Sequence, residues 1–423
     1  VDCYLLFVSN FKMKDYIKKH IKLLKPSATL AINEKAKKLN NEGKKTFNFG
    51  FGQSPFPVPN SIVSALKNNA NKKEYLPVQG LKNLREVISK YLNKKTNNSF
   101  IHQDIIIGPG SKQLMFLLQL GFEGEFIFPK GSWVSYEPQA IIAKNKVHWI
   151  ETFREDNWFP KSKEIEKVIK NIKNKNIILF LNSPNNPTGA VCKNLKEIAE
   201  TAKKNKIIIL SDEIYSDLQF DGKYDSISKY YPDGTIISSG LSKWCGAGGW
   251  RLGYFAIPEK LRSILNMSKI LSSESISSVT TPIQYAAVEA FTGDYSGYLN
   301  KSRNILLAVG DYVYRKLKSN KVLITPPQGG FYLMPEFLNS KFKTSAEMCE
   351  NILNNSGVAL LPGSDFGFNK SKMFARLSYT DFDGELFLNN IKGSKKPDDD
   401  FVEKFAPNVV EGTRRLNEWV QSI

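Results

Sequence analysis

The chain has 423 residues, 41% of them hydrophobic, and a formal net charge of +18 at pH 7. This length is enough for one large domain with a smaller partner, and the hydrophobic content is ample for a globular core. No apolar run approaches the ~20 residues needed to cross a bilayer, which argues against a membrane protein.

The positive charge comes from lysines spread along the chain, often beside asparagine, as at residues 93–98 and 173–176. Without a dense basic tail or a nucleic-acid-binding motif, we interpret them as solvated surface that also attracts anionic substrates and cofactors. A non-enzymatic nucleic-acid-binding protein stays open as a remote alternative. The four cysteines are widely spaced without a CxxC pair, so we expect no disulfide framework, no metal and a reduced, cytoplasmic setting.

The first part of the chain predicts an extension, a helical arm and a rigid loop. Residues 1–12 precede Met13, which could be the natural start, and they lack the basic opening of a signal peptide. Residues 13–43 have helical periodicity and end at a glycine. Residues 47–59 are dense in Gly and Pro, which predicts an extended loop or linker before a helix that begins near Asn60.

The first candidate binding motif follows a predicted amphipathic helix over 84–91 and a buried strand over 104–107. This strand runs through a glycine turn into Ser111, Lys112 and a helix over 114–120. A strand that turns into a helix directs free backbone N–H groups and the positive helix end at one point. The turn therefore predicts an anion-binding cradle, to which the Ser111 hydroxyl and the Lys112 ammonium add.

Hydrophobic runs at 125–128, 176–181 and 206–210 predict further strands. Ligands bind at the carboxyl ends of strands in an open α/β sheet, and polar residues follow two of these runs directly. Asp212, after the third run, can pair with a protonated pyridine nitrogen, although an Asp-Glu pair is often only a helix N-cap. Trp133 offers a flat face to a flat cofactor, with a role in the core as the competing interpretation.

One lysine, Lys243, lies in a loop of small residues over 239–253, which follows a predicted strand over 235–238. A backbone with few side chains lets a ligand approach closely, and Arg251 supplies a planar fork suited to phosphate. A lysine amine, a phosphate clamp and close backbone approach are what a pyridoxal-phosphate Schiff-base site requires.

The last third of the chain predicts a helix over 282–291, a long helix over 298–317, strands over 329–333 and 374–378, a charged loop over 392–400 and a final helix over 409–420. The long helix is expected to join the large domain to a smaller one. An aromatic residue of the strand at 329–333 is a candidate wall of the pocket. Strands that alternate with helices predict an α/β fold with a mostly parallel sheet.

These motifs, in this order, resemble those of the fold-type-I pyridoxal-phosphate enzymes, specifically the class I/II aminotransferases. The resemblance runs from about Phe47 to Arg376. Besides the lysine loop, it rests on residues 182–189, which are similar to Asn-Pro-x-Asn-Pro-Thr-Gly with Ser183 in place of the first Asn. One departure is Gly240, where the family often has a serine that contacts phosphate.

The resemblance implies a mostly parallel central sheet with helices on both faces and a smaller α/β domain. It implies an N-terminal arm with part of the small domain at 1–59, a large cofactor-binding domain at 60–295 and a C-terminal small domain at 296–423. The implied activity is amino-group transfer from an L-amino acid to a 2-oxo acid in a homodimer, without a membrane or nucleic-acid partner. A carbon–sulfur β-lyase on the same fold is the alternative.

The resemblance also implies a role for each matched residue. Lys243 would bind pyridoxal 5′-phosphate as an aldimine and, once freed, move the substrate proton. The remaining cofactor contacts would come from Asp212 at the ring nitrogen, from Asn186 and Tyr215 at the phenolic oxygen, from Trp133 on the ring face, and from Gly110, Ser111, Lys112, Ser242, Arg251 and, across the dimer interface, Tyr75 at the phosphate. The substrate carboxylate would be bound by Arg376, with Gly52 and Asn186 beside it. A surface ion pair is the alternative interpretation of Arg376. The identity of the amino donor stays open among acidic, aromatic and neutral amino acids.

Overall fold

The computed structural model describes residues 16–24, 28–338, 341–391, 393 and 396–422. The predicted extension at residues 1–12 and Met13 lie outside the described residues, and so does most of the charged stretch at 392–395. The helices are α1 Ala28–Asn41, α2 Asn60–Asn69, α3 Lys82–Thr96, α4 Ser111–Gly121, α5 Tyr136–Ile142, α6 Ser162–Ile169, α7 Leu195–Lys204, α8 Arg262–Ser275, α9 Thr281–Thr292, α10 Ser296–Leu317, α11 Ser345–Ser356, α12 Gly384–Asn390, α13 Asp399–Phe405 and α14 Pro407–Ser422.

The strands are β1 Ile105–Gly108, β2 Glu125–Pro129, β3 Val147–Ile150, β4 Ile177–Asn182, β5 Ile208–Asp212, β6 Thr235–Gly240, β7 Gly253–Ala256, β8 Val322–Leu323, β9 Tyr332–Leu333, β10 Glu336–Phe337, β11 Leu361–Pro362 and β12 Ala375–Ser378. The first seven form a central sheet in the order β1-β7-β6-β5-β4-β2-β3. Only β7 runs antiparallel to its neighbours, so the sheet is mostly parallel, as predicted.

Helices cover both faces of this sheet, which explains why its strands read as continuous apolar runs. Side chains alternate between the faces, so Phe126 and Phe128 of β2 pack with α4, α5 and α8, whereas Ile127 packs with α6 and α7 on the opposite face. No helix of the described ranges is long and apolar enough to cross a membrane.

The register of the central strands brings polar residues to one edge of the sheet. Asn182 at the end of β4 lies opposite Asp212 at the end of β5, and Asp212 lies opposite Ser238 of β6. The loops that follow these strands therefore meet at the carboxyl edge, as expected for a ligand crevice in a parallel sheet.

The C-terminal part carries two smaller sheets, β10-β8 and β11-β12-β9. The residues before α2 join it: the Phe47 amide donates to the Gly357 carbonyl at 2.9 Å, and the Ser378 amide donates to the Phe49 carbonyl at 2.8 Å. The loop at 47–59 thus runs from the small sheets toward the edge of the large one.

Three predicted elements are wrong in extent. Among the described residues of the helical arm predicted over 13–43, the α-helix covers only Ala28–Asn41, with a separate 3-10 turn at Ile21–Leu23. The strand predicted over 329–333 contains only Tyr332–Leu333, because the Gly329 and Gly330 amides donate instead to loop carbonyls of Gly189 and Leu218 at 3.1 and 3.0 Å. The loop predicted over 392–400 ends early, since α13 begins at Asp399, where the Asp398 carboxylate caps the helix through the Phe401 amide. No element was predicted at β3, at β7 or at several of the helices.

Candidate active site

Lys243 lies in the loop after β6, and its amine donates a hydrogen bond to the Gly52 carbonyl at 2.8 Å. The rings of Tyr215 and Phe331 flank it, with centroids 5.7 and 5.6 Å from Nζ. Burial and, to a lesser extent, the nearby charge of Arg376 lower the pKa of Lys243 to about 8, while Asp212 acts in the opposite direction. This amine therefore loses its proton at a lower pH than an ordinary lysine.

Asp212 ends β5 and is 4% exposed. The Tyr136 hydroxyl donates to its Oδ2 at 2.7 Å, whereas Oδ1 is buried and has no hydrogen-bond partner among the described residues. Burial raises the pKa of Asp212 to about 6, and the bond from Tyr136 partly offsets that rise. An unpartnered buried carboxylate oxygen is costly unless a ligand supplies a donor.

The loop after β4 is held by its own amide side chains. The Asn182 side chain donates to the Asp212 carbonyl at 2.8 Å and accepts from the Asn186 amide at 2.7 Å. The Asn186 side chain in turn donates to the Tyr215 hydroxyl at 3.5 Å and accepts from Arg376 at 3.0 Å. Residues of three separated segments are therefore tied together at the carboxyl edge of the sheet.

Arg376 comes from β12 and is 2% exposed. Its Nη2 donates to the Gly50 carbonyl at 2.6 Å, its Nη1 donates to Asn186, and its Nε is buried without a partner among the described residues. The guanidinium lies 4.6 Å from the centroid of Tyr332, in cation–π contact. The alternative of a surface ion pair does not apply to this buried side chain.

The predicted anion cradle is built by close packing between the start of α4 and the lysine loop. Gly110 has φ +84°, and a Cβ there would lie 2.2 Å from Nη2 of Arg251. A Cβ at Gly253 would lie 2.2 Å from the Ser111 amide nitrogen. Because both positions are glycine, the guanidinium and the first amides of α4 can approach one point, with the helix dipole aligned to favour an anion.

Lys112 extends beside this cradle, with Nζ 5.4 Å from the centroid of Trp133. Burial lowers the pKa of Lys112, and the charge of Arg251 adds to the effect.

One cavity of about 390 Å³ collects most of the predicted residues. Its lining includes Gly52, Ser111, Lys112, Trp133, Asn186, Asp212, Tyr215, Ser242, Lys243, Arg251 and Arg376. Gly110 contributes from behind Arg251. Tyr75 is 89% exposed and does not reach the cavity of its own chain.

The motifs did not identify every residue of the site. Tyr136 donates to Asp212, and Asn182 braces the loop after β4, yet neither was assigned a role. Asn182 is the first residue of the motif over 182–189, whereas Tyr136 comes three residues after Trp133 in a stretch without a motif. The pocket aromatic expected from the strand at 329–333 is Tyr332.

Comparison with known proteins gives a consistent result. The profile of the family described as aminotransferase class I and II matches residues 44–385. An aspartate aminotransferase of Bacillus sp. (strain YM-2) is 33% identical over 84% of this chain and 93% of its own length. A probable aspartate/prephenate aminotransferase of Aquifex aeolicus is 32% identical over 91% of this chain and 99% of its own.

A solved structure is also similar: aspartate aminotransferase from Thermus thermophilus with maleate superposes with a TM-score of 0.82 at 26% identity. The match covers 96% of this chain and 100% of that one. The agreement therefore extends from the motifs to the whole fold.

Proposed function

Because this chain belongs to the class I and II aminotransferases, and is a pyridoxal-phosphate-dependent enzyme of that family, we propose that its amino donor is L-aspartate and that the cavity residues have the roles given below. The observation that carries the proposal is the meeting of the Lys243 amine, the open Asp212 oxygen and the Arg376 guanidinium in one cavity. The lyase and nucleic-acid alternatives find no support in the comparisons.

The cavity fits pyridoxal phosphate at both ends. Asp212 presents a buried oxygen that lacks a donor, which a protonated ring nitrogen would supply. At the other end, Arg251 and the first amides of α4 converge on a point that two glycines keep free of side chains. A phosphate bound there would also be within the neighbourhood of Ser111 and Ser242, which line the same cavity.

When bound, pyridoxal phosphate supplies the electron sink that acidifies the substrate α-carbon. Lys243 would hold the cofactor, and its Nζ is placed to carry the substrate proton, a task suited to a buried amine whose pKa is lowered. Asp212 would accept a hydrogen bond from the protonated ring nitrogen, and Tyr136 steadies Asp212 by donating to Oδ2. Asn186 and Tyr215 would contact the phenolic oxygen, and Trp133 would cover the ring.

Arg376 orients the substrate by its α-carboxylate. Its guanidinium is held by Gly50 and Asn186 and supported by the ring of Tyr332, so it is fixed before substrate binds. Gly52 and Asn186 flank the same space. A fixed planar fork pairs with a carboxylate in one orientation, which directs the α-carbon toward Lys243.

The choice of donor rests on the relatives, which are named aspartate and aspartate/prephenate aminotransferase. The cavity lining contains four cationic side chains, from Lys112, Lys243, Arg251 and Arg376, against the one carboxylate of Asp212. The cofactor phosphate, the Schiff base and the substrate α-carboxylate account for these four cations, so charge alone does not select a donor with a second carboxylate.

The test follows the visible absorbance of the purified holoenzyme while single L-amino acids are added without a 2-oxo acid. L-Aspartate is expected to convert the visible band to a shorter-wavelength band and to release one equivalent of oxaloacetate per active site. Conversion by neutral or aromatic amino acids at lower concentration would contradict the donor assignment. A persistent band with accumulating pyruvate and ammonia would point to a lyase.

We further propose a homodimer in which Tyr75 reaches the cofactor phosphate of the neighbouring subunit. A tyrosine 89% exposed supports this, together with the exposed Ile101 and Ile270. Each variant alone, Tyr75→Phe or Lys243→Ala, is expected to be impaired. A mixed dimer would contain one intact site, because that site takes Lys243 from one subunit and Tyr75 from the other. Recovery of activity on refolding the mixture supports the dimer, and no recovery contradicts it.

We also retain the domain division at residues 59 and 295 as a proposal. The bonds of Phe47 and Phe49 to the C-terminal sheets support a small domain built from both chain ends. A reduced, cytoplasmic setting is likewise a proposal, supported by buried free thiols at Cys192, Cys245 and Cys349.

A further inference from the structure

Tyr332 is a buried cavity residue whose hydroxyl touches two groups that serve the proposed chemistry. It opens β9, is 1% exposed, and lines the cavity. Its hydroxyl lies 3.1 Å from the Tyr215 hydroxyl and donates to the Gly52 carbonyl at 3.5 Å. The same carbonyl accepts the amine of Lys243 at 2.8 Å, so a single oxygen links Tyr332 to the catalytic lysine.

Tyr332 packs so closely against Gly52 that position 52 has no room for a side chain. A Cβ at position 52 would lie 1.8 Å from the Tyr332 hydroxyl oxygen, so the hydroxyl occupies the space of the missing side chain. The ring of Tyr332 also supports Arg376 from 4.6 Å. One side chain therefore contacts the lysine's acceptor through its oxygen and the substrate clamp through its ring.

The hydroxyls of Tyr215 and Tyr332 each carry one proton, so each can donate to one acceptor at a time. Tyr215 carries one hydroxyl proton and already receives a donor from Asn186 at 3.5 Å. An anionic phenolic oxygen is a stronger acceptor than a neutral hydroxyl, so Tyr215 would give it this proton. The single Tyr332 proton then turns from the Gly52 carbonyl, which is 3.5 Å away and already accepts from Lys243, to the Tyr215 oxygen at 3.1 Å, and the two linked hydroxyls polarise each other.

We propose that Tyr332 is a positioning residue that directs the Tyr215 proton toward the cofactor's phenolic oxygen, with its ring supporting Arg376. The inference rests on the roles proposed above for Tyr215 and Lys243. It assigns to Tyr332 two separable contributions, one from the hydroxyl and one from the ring. Removing the hydroxyl weakens the donor to the phenolic oxygen, whereas removing the ring loosens the substrate clamp.

Tyr379 provides a matched control. It is 0% exposed, its hydroxyl makes a 3.5 Å bond to the Gly330 carbonyl, and it does not line the cavity. Tyr332→Phe and Tyr379→Phe each delete one buried hydroxyl from the same part of the fold. A purely structural effect would appear in the melting temperature of both variants, without a change in the cofactor's spectrum.

The measurement is the pH midpoint of the visible absorbance of each holoenzyme, with the dissociation constant for pyridoxal phosphate determined on the apoprotein. A donor at the phenolic oxygen stabilises its negative charge, so Tyr332→Phe is expected to raise the midpoint by about 0.5 to 1 pH unit and weaken cofactor binding a few-fold. Tyr379→Phe is expected to leave both unchanged. Tyr332→Leu should shift the midpoint similarly and also raise KM for the donor.

Three results would overturn the inference and can be told apart. If Tyr215→Phe moves the midpoint but Tyr332→Phe does not, Tyr332 does not act through Tyr215, and the proposed function stands. If the wild-type protein forms no visible band with pyridoxal phosphate, the roles of Lys243 and Tyr215 fall together with this inference. A midpoint shift equal in Tyr332→Phe and Tyr379→Phe would reduce the effect to general loosening and also contradict it.

Discussion

Two adjacent carboxylates, Asp212 and Glu213, lie in contrasting polar regions. Both are 4% exposed, and burial raises the pKa of each. Asp212 faces the cavity with one oxygen unpartnered, whereas Glu213 receives hydrogen bonds from Ser211 at 2.8 Å, from Ser226 at 2.6 Å and from Tyr224. The closed region around Glu213 has its donors in place, while the cavity around Asp212 leaves one for a ligand to supply.

The hydrogen-bond partners of the two carboxylates distinguish a structural site from a ligand-binding one, whereas their equal burial does not. The closed region continues to Lys95, which binds Asp217 at 2.6 Å and Ser216 at 3.0 Å. Its groups satisfy one another, so it stabilises the fold. The groups of the cavity remain partly unsatisfied, and the resulting free energy cost is recovered when cofactor and substrate bind.

The largest expected effect comes from replacing one lysine by alanine in the cavity and, as a control, one lysine in the closed region around Glu213. Lys243→Ala should remove the visible band and lower kcat by ~10³-fold or more, because both the covalent anchor and the proton carrier are lost. Lys95→Ala should keep the band but lower the free energy of unfolding by about 1 to 2 kcal/mol, since Asp217 loses its partner. Absorbance and denaturant titration together check this, and a lost band in Lys95→Ala would contradict the division.

Substitutions of Asp212 and Glu213 compare the cavity with the closed region again, and the expected effects are smaller than those of the lysine substitutions. Asp212→Asn should lower kcat/KM by ~10²- to 10³-fold, because the ring proton loses its counter-charge. Glu213→Gln should keep most activity and lose about 1 to 3 kcal/mol of stability, because an amide cannot accept all three hydroxyl bonds. Steady-state kinetics and urea unfolding of both variants test this difference. Comparable losses of kcat/KM in the two variants would contradict the separate roles of Asp212 and Glu213.

Arg376→Lys tests whether the clamp needs its planar fork. A lysine keeps the charge but neither the two-point pairing nor the stacking on Tyr332, so kcat/KM for L-aspartate should fall by about 10- to 100-fold, mostly through KM. Cofactor affinity should change less than KM, because the phosphate cradle is formed by Arg251 and the start of α4 and not by Arg376. A loss of cofactor affinity without a change in KM would argue against the substrate role.

The smallest expected effect is on the pH dependence of the apoprotein's stability. The pKa of Asp212, raised to about 6, lies above its unfolded value, so in the apoprotein the folded state favours the protonated acid, and stability from this group falls as pH rises through about 6. Asp212→Asn should therefore make the apoprotein more stable than wild type above pH 6. Tyr136→Phe removes a bond that lowers this pKa, so it should enlarge the stability loss on raising the pH; thermal melting from pH 5 to 8 checks both directions.

The sequence predicted which residues meet at the strand ends more fully than it predicted the contacts between distant segments. Asp212, Asn186 and Lys243 follow recognisable strands, and the parallel sheet brings those ends together. Period-two alternation also implies that Asp212 and Glu213 face opposite ways, but it does not say which face is open. That depends on Ser226 and Tyr224, which come from a loop without a motif.

Contacts made through the backbone were beyond prediction for a physical reason. The hydrogen-bond acceptor of Lys243 is the carbonyl of Gly52, and every residue carries a carbonyl, so no residue type marks it. The partnership of Tyr332 with Gly52 likewise depends on the path of two chain segments far apart in sequence. Motifs report side-chain chemistry, whereas such contacts follow from the packing of the small sheets against the large one.

We propose that the cavity at the carboxyl edge of the sheet is a transamination site for L-aspartate. The decisive experiment adds L-aspartate to the holoenzyme in the absence of any 2-oxo acid while absorbance and products are recorded. We expect loss of the visible band, one equivalent of oxaloacetate per site, and recovery of the band when a 2-oxo acid is added. A band that L-aspartate leaves unchanged, in a protein that binds pyridoxal phosphate through Lys243, would contradict it.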